Sequence, residues 1–129
     1  VLGNAVYDQD TWLPQVSVGL QYKDNKDGTV IPFLNGALAA LKIAVRVVSM
    51  PCTSAFDRQS VAYKKAVLPA GLPRIAIEAG VTHGWWKYGC AAVIGIDTYG
   101  ESAPAPALFK HFHITADNLV ATVRKVLGR

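Results

Sequence analysis

The chain has 129 residues, of which 51% are hydrophobic and 17% charged; this balance favours one compact domain and excludes a disordered tail. No apolar run reaches the roughly 18 residues of a membrane-spanning helix, and the N-terminus carries no signal-peptide pattern. The net charge of +4 comes from scattered basic residues, so we expect neither a nucleic acid nor a membrane as partner. The two cysteines, Cys52 and Cys90, match no metal-binding spacing, and free thiols are typical of a cytoplasmic protein.

The first third of the sequence predicts an N-terminal β-hairpin over about residues 15–34. Residues 16–23 alternate apolar and polar side chains, which indicates a strand with one buried face. A turn cluster follows at 24–28, and residues 29–34 form a second apolar run in which Pro32 favours a sheet edge or a bulge. A short helix is predicted at 37–43.

From residue 44 the pattern changes to alternating strands and helices. Apolar, β-branched runs predict strands at residues 44–50, 74–79 and 90–96. Helices are predicted at about 58–67, 82–88, 105–111 and from 116 to the end of the chain. Asp57, after a loop at 52–57, is placed to cap the first helix; Thr115 is placed to cap the last, and Gly128 to end it. This order predicts a three-layer α/β fold, with a mostly parallel sheet between helices.

A polar turn at residues 97–100 follows the last predicted strand, and Ser102 and Pro104 then open a helix. In an open α/β sheet, ligands usually bind at this end of the strands. Gly100 lets the backbone approach a ligand closely, and the Ser102 hydroxyl beside free helix N–H groups would suit a small anion. Glu101 would repel a phosphate, so the alternative is that Ser102 caps the helix and Glu101 faces solvent or a neighbouring domain.

An aromatic patch made of Trp85, Trp86 and Tyr88 lies on the predicted short helix. Two adjacent tryptophans on one short helix cannot both face the core. We therefore expect part of the patch, together with Glu101, to contact a neighbouring domain or subunit, in a dimer or a higher oligomer.

Other residues offer chemistry with simpler structural alternatives. His111 and His113 would share a strand face and could bind a metal with a third ligand, but they fall at a helix end, where exposed or capping histidines are common. Glu78 and His83 could form an acid–base pair or pin a loop. Cys52 follows a strand, at a position where a nucleophile could sit, without a base nearby in sequence.

Several stretches after residue 44 resemble the C-terminal domain of transketolase, in the family's order and with similar spacing. They are VRVVSMP at 45–51, AFD at 55–57, the run from Tyr63 to Pro69, IEAG at 77–80, WKY at 86–88, YGESAP at 99–104 and the run 115–118. The resemblance covers residues 45–129, which we expect to form the domain. Residues 1–44 depart from the family, which has a strand, a glycine turn and a long helix there; the predicted hairpin could supply a substitute strand.

The resemblance implies a parent activity: ketol transfer between sugar phosphates, using thiamine diphosphate and a divalent metal. In the family these are held by N-terminal domains, and this sequence has no Gly-Asp-Gly motif followed by a distant Asn. The resemblance therefore implies a non-catalytic structural or assembly domain, without catalytic, metal or cofactor residues of its own, that pairs as a homodimer or packs on other transketolase domains. The alternatives are a small-anion or nucleotide-binding module using Gly100–Pro104, and a small thiol or acid–base enzyme.

Overall fold

The computed structural model describes residues 16–21 and 45–128. In chain order its elements are strands β1 (Val16–Gln21) and β2 (Val45–Ser49), helices α1 (Thr53–Asp57) and α2 (Val61–Val67), strand β3 (Arg74–Glu78), a 3₁₀ helix (His83–Tyr88), strand β4 (Ala92–Ile94), and helices α3 (Ala105–His111) and α4 (Ala116–Leu127). None of the described helices is long and apolar enough to cross a membrane.

The four described strands form one parallel sheet in the order β2-β1-β3-β4. β1 lies between β2 and β3, with Val18 paired to Val47 on one side and to Ile75 on the other. β4 pairs with β3, with Ile77 opposite Ile94. The expected α/β fold with a parallel sheet is confirmed.

The position of β1 corrects the predicted hairpin. Both hydrogen-bonding edges of Val16–Gln21 are occupied by parallel strands, so no edge of these residues is left for an antiparallel hairpin partner. The further expectation, that this part of the chain supplies a strand to the sheet, is confirmed. The predicted second hairpin strand at 29–34 and the helix at 37–43 lie outside the described residues.

Each face of the sheet has its own hydrophobic core, because successive side chains of a strand point to opposite faces. One core packs α4 on the sheet and contains Val47, Ile75, Ile77, Ile94, Ala116, Leu119 and Val123. The other packs α1, α2 and the 3₁₀ helix and contains Val48, Met50, Phe56, Val67, Ala76 and Trp85. Helical layers therefore cover both faces, as the sequence predicts.

Two predicted boundaries around α1 are wrong. The expected loop at 52–57 contains α1, and Asp57 does not cap the next helix. Ser60 is the N-cap of α2, where its hydroxyl oxygen accepts a hydrogen bond from the Tyr63 N–H at 3.2 Å. The predicted start was three residues early because Ser60 also carries a side chain suited to capping.

The Arg74 guanidinium joins β3 to the ends of two helices. Nη1 donates to the Tyr88 carbonyl at 2.6 Å, and Nη2 donates to the carbonyls of Leu68 and Pro69 at 2.9 and 3.0 Å. These carbonyls lie at the C-terminal ends of the 3₁₀ helix and α2, where helix dipoles favour a cation. Gly89, at φ +70°, is required beside it, because a Cβ there would be strained and would lie 3.1 Å from Nη1.

We expect Arg74→Met to lower the free energy of unfolding by about 2–4 kcal/mol, because three carbonyls lose a charged donor. Arg58→Met, at an exposed arginine next to α1, is the matched control and should change it little. Urea unfolding followed by tryptophan fluorescence measures both. Equal losses in the two variants would contradict the role given to Arg74.

The last two helices have well-defined ends. Thr115 caps α4 by accepting the Asn118 N–H at 3.3 Å, and Gly128 ends it at φ +68°; both predictions are confirmed. After α3, the N–H groups of His113 and Ile114 donate to the carbonyls of Lys110 and Phe109. This pattern normally places glycine at the left-handed position, but here that residue is His113, at φ 57°.

We expect His113→Gly to raise the free energy of unfolding by about 0.5–1 kcal/mol, because the steric cost of the left-handed conformation exceeds glycine's entropic cost. His111→Gly, inside the last turn of α3, should instead lower stability by about 1 kcal/mol. Thermal unfolding of both variants tests the pair. A His113→Gly variant no more stable than the parent would show that no strain is stored there.

Candidate functional site

The carboxyl ends of β1 and β3 form the switch point of the sheet. The chain leaves β1 toward β2 on one side and leaves β3 toward β4 on the other, which opens the crevice where α/β sheets usually bind ligands. Glu78 is the last residue of β3 and pairs in register with Gln21. The predicted turn at 97–100 follows β4 at this same end.

Asp97 ties the loop after β4 to the loop after β3. Its carboxylate accepts the Thr82 N–H at 2.9 Å and the Thr82 hydroxyl at 2.8 Å. These hydrogen bonds, the backbone one first, lower the pKa of Asp97. The Ile96 N–H also donates to the Gly80 carbonyl at 2.7 Å. We call this arrangement of Gly80, Thr82, Ile96 and Asp97 the loop clamp.

Gly95 makes the loop clamp possible. A Cβ at Gly95 would lie 2.7 Å from the Gly80 carbonyl oxygen and 2.8 Å from Thr82 Cγ2. Any other residue would therefore push the two loops apart. The sequence interpretation missed this glycine, since its requirement comes from a neighbour fifteen positions earlier and from no turn motif.

The Gly100–Pro104 turn is exposed at every residue. A Cβ at Gly100 would meet no heavy atom of the described chain within 4 Å. Pro104, not Ser102, is the N-cap of α3, so the expectation that Ser102 caps this helix is wrong. Anion binding by Gly100 and Ser102 and a neighbour contact by Glu101 stay predictions.

The three residues of the aromatic patch differ in exposure. Trp85 is 5% exposed and packs in the core, with its ring centroid 5.9 Å from that of Tyr88, whereas Trp86 is 49% exposed. Tyr88 is half-buried and its ring meets Phe56 edge-on at 5.7 Å. As expected, the adjacent tryptophans face opposite ways, and Trp86 is the one left for a neighbour.

Asp57 was predicted as a cap and instead joins α1 to the 3₁₀ helix. Its carboxylate accepts Lys87 Nζ at 2.6 Å and the Tyr88 hydroxyl at 2.9 Å. The hydrogen bond from Lys87, followed by that from Tyr88, lowers the pKa of Asp57. No local pattern could have signalled this, because the partners lie 30 residues away.

The pair considered between Glu78 and His83 does not form. No hydrogen bond or ion pair joins the two within residues 45–128, and His83 is exposed. Glu78 Oε2 is buried with no hydrogen-bond partner among the described residues, and burial raises the pKa of this carboxyl.

The two thiols differ in environment. Cys52 is exposed at the N-terminus of α1, where a hydrogen bond with the Ser54 hydroxyl and then the Ala55 N–H lower its pKa. Cys90 is half-buried, burial raises its pKa, and its S–H donates to the Trp85 carbonyl at 3.4 Å. Nothing described here pairs Cys52 with a general base, so a thiol enzyme stays a prediction.

The metal site considered for His111 and His113 does not assemble from the described residues. His111 is exposed in the last turn of α3, and His113 follows in the left-handed position. Across residues 16–21 and 45–128, no three His, Cys, Asp or Glu side chains come together in a group that could hold a metal ion. The described residues therefore do not provide the donor set that a divalent metal needs.

Comparison with known proteins gives consistent results. A family model described as the transketolase-like TK C-terminal domain matches residues 33–115. Transketolase 2 of Aliivibrio fischeri is 55% identical over 88 residues, which are 66% of this chain and 13% of that protein. Transketolase 1 of Escherichia coli is 48% identical over 93 residues, or 70% of this chain and 14% of that protein. This chain thus spans about one-seventh of these relatives' length.

Solved structures resemble a larger part of the chain. A transketolase from Leishmania mexicana matches with a TM-score of 0.77 and 39% identity, covering 95% of this chain and 17% of that one. A transketolase from Pichia stipitis matches with a TM-score of 0.79 and 28% identity, covering 98% and 18%.

We expect Glu78→Gln to raise the unfolding free energy at pH 7 and to leave it unchanged near pH 4. A carboxyl whose folded pKa is raised binds its proton more tightly in the folded state. The stability that this carboxyl contributes is therefore fully present below the usual carboxyl pKa of about 4.3. That stability is lost as the pH rises through the pKa of the carboxyl in the folded state. Glutamine does not ionise, so the variant does not lose this stability as the pH rises.

Denaturant unfolding at both pH values tests this, with the exposed Glu101→Gln as control. A Glu78→Gln variant that is less stable than the parent at pH 7 would mean that the carboxylate has a stabilising partner.

Proposed function

The chain belongs to the family of transketolase-like C-terminal domains, and we propose that it serves as a non-catalytic structural and assembly domain. Its partner is a second copy of itself or the other domains of a transketolase. The parent activity of the family, ketol transfer with thiamine diphosphate and a divalent metal, is proposed to reside in those other domains.

The exposed apolar side chains near the loop clamp carry this proposal. Val81 is 63% exposed, Trp86 49% and Tyr99 95%. Val81 directly precedes Thr82, and Tyr99 lies two residues after Asp97, so the loop clamp holds both loops in place. Apolar side chains kept in solvent by a fixed backbone are typical of an interaction site.

The contacts of Trp86's neighbours also support a docking role. Trp85 and Tyr88 anchor the 3₁₀ helix in the core, and Lys87 is tied to Asp57. Trp86 is thereby presented on a rigid element, which suits the large aromatic anchors of protein interfaces. Glu101, exposed in the neighbouring turn, would add polar contacts at the rim.

We assign no step of the ketol-transfer reaction to the described residues. They lack a group of donors for the metal, and thiamine diphosphate would bring the ketol-transfer chemistry wherever it is bound. We propose the cytoplasm as the location, and the two unbonded cysteines support this.

We expect the chain to self-associate, or to bind an Escherichia coli transketolase truncated before the stretch aligned to this chain. Trp86→Ser should weaken that association about tenfold or more, because buried aromatic anchors contribute most to an interface. Val61→Ser, at a 64% exposed residue of α2, is the matched control and should have no effect. Light scattering and analytical ultracentrifugation measure both.

A chain that stays monomeric at high concentration and does not bind the truncated enzyme would overturn the proposal. Calorimetry with thiamine diphosphate and Mg²⁺ is an independent test, and we expect no heat of binding from this chain alone. Saturable binding there would argue for a cofactor role instead.

A further inference from the structure

We propose that the groove between β4 and α4 binds a small anionic molecule with a flat apolar body. The groove has a volume of about 710 Å³ and is lined by β4, the Phe112–His113 turn and one face of α4. That volume is within the range of about 300–1,000 Å³ common for small-molecule sites. The described lining of the groove contains none of the four residues of the loop clamp, and the inference does not depend on the proposed assembly role.

A polar stripe on α4 forms one wall of the groove. Asn118, Thr122 and Lys125 are spaced i, i+4 and i+7, which places them on one helix face. The Thr122 hydroxyl donates to the Asn118 carbonyl at 2.7 Å, so this hydroxyl hydrogen is already used within α4. Lys125 is exposed, and its ammonium group has no hydrogen bond or ion pair with any described residue, which leaves that group available to a ligand.

The opposite wall is the edge of the sheet. Among the described strands β4 pairs with β3 alone, so its other edge can offer backbone N–H and C=O groups to a ligand. Phe112 and Val126 add apolar surface. A ring-shaped body could therefore lie between strand and helix.

His113 is strained at the rim of the groove. It is the one non-glycine residue with positive φ in the described chain, and its carbonyl is held by the Asn118 side-chain amide at 2.8 Å. Strain of this kind is often retained where a side chain has a function. His113 lines the groove, so its imidazole would add a hydrogen-bond donor there.

Charge selects the class of ligand. The described lining contains a lysine and a histidine and no aspartate or glutamate. An anionic group, a phosphate or a carboxylate, would therefore pair with Lys125 and accept from His113, while its apolar body contacts Phe112 and Val126.

Phenyl phosphate is a suitable probe, titrated into the full chain and followed by amide chemical shifts in NMR. We expect saturable shifts confined to β4, the turn at 112–113 and the facing residues of α4. Lys125→Met should weaken binding about tenfold or more, through loss of the charged donor. Lys65→Met, at an exposed lysine in the last turn of α2, is the matched control and should bind as the parent does.

The His113→Gly variant tests whether the His113 side chain takes part in binding or is only a strained residue of the turn. We expect this variant to unfold at a higher temperature and yet to bind phenyl phosphate more weakly. Benzyl alcohol, which has the ring without the charge, should give no saturable shifts. The proposal is overturned if shifts scatter over all lysines, if Lys125→Met binds as tightly as the parent, or if benzyl alcohol binds equally well.

Discussion

The hydrogen bonds of one arginine organise a whole face of this domain. Arg74 stands at the first position of β3 and donates to carbonyls at the ends of α2 and the 3₁₀ helix. No carboxylate of the described chain pairs with it; the negative ends of two helices take that role. One of these bonds holds the C-terminal end of the 3₁₀ helix, in which Trp85 is 5% exposed and Trp86 49%. The surface available to a partner thus depends on an internal contact.

Two carboxylates connect loops in a similar way. Asp57 joins α1 to the 3₁₀ helix, and Asp97 joins the loops that follow β3 and β4. The pKa values of both carboxyls are lowered. The cause is that hydrogen-bond donors stabilise the ionised form of each carboxyl in the folded state. Glu78 is the opposite case: its buried oxygen finds no described partner and its pKa is raised. Asp57 and Asp97 are therefore structural ties, whereas Glu78 is not.

The two proposed surfaces differ in the physics on which they depend. The assembly surface consists of apolar side chains on fixed loops, and its energy would come mainly from burial. The groove beside α4 is mixed: among the described residues, one edge of β4 has no paired strand, the Lys125 ammonium has no partner, and His113 has a positive φ. Burial of apolar surface alone would not make this groove selective for a ligand. Its selectivity would come from charge and from hydrogen-bond geometry. A domain that assembles by one surface can therefore still bind a small ligand at the other.

Much of the fold could be predicted from the sequence, because it depends on local patterns. α3 has the predicted bounds 105–111, Thr115 caps α4, Gly128 ends it, and β2, β3 and β4 lie inside their predicted ranges. Periodicity, capping side chains and glycine conformation act within a few residues, so one stretch of chain suffices to identify them. The transketolase C-terminal family was likewise recognisable, because its motifs are short and occur in order.

Only the tertiary structure decided where β1 lies, what Asp57 does and why Gly95 must be glycine. Alternation at 16–23 predicts a strand but not its neighbours, and pairing with β2 and β3 replaced the expected hairpin. Asp57 meets Lys87 and Tyr88 across 30 residues, and Gly95 is constrained by the carbonyl of Gly80. These outcomes depend on contacts between segments far apart in the chain, which no local pattern encodes.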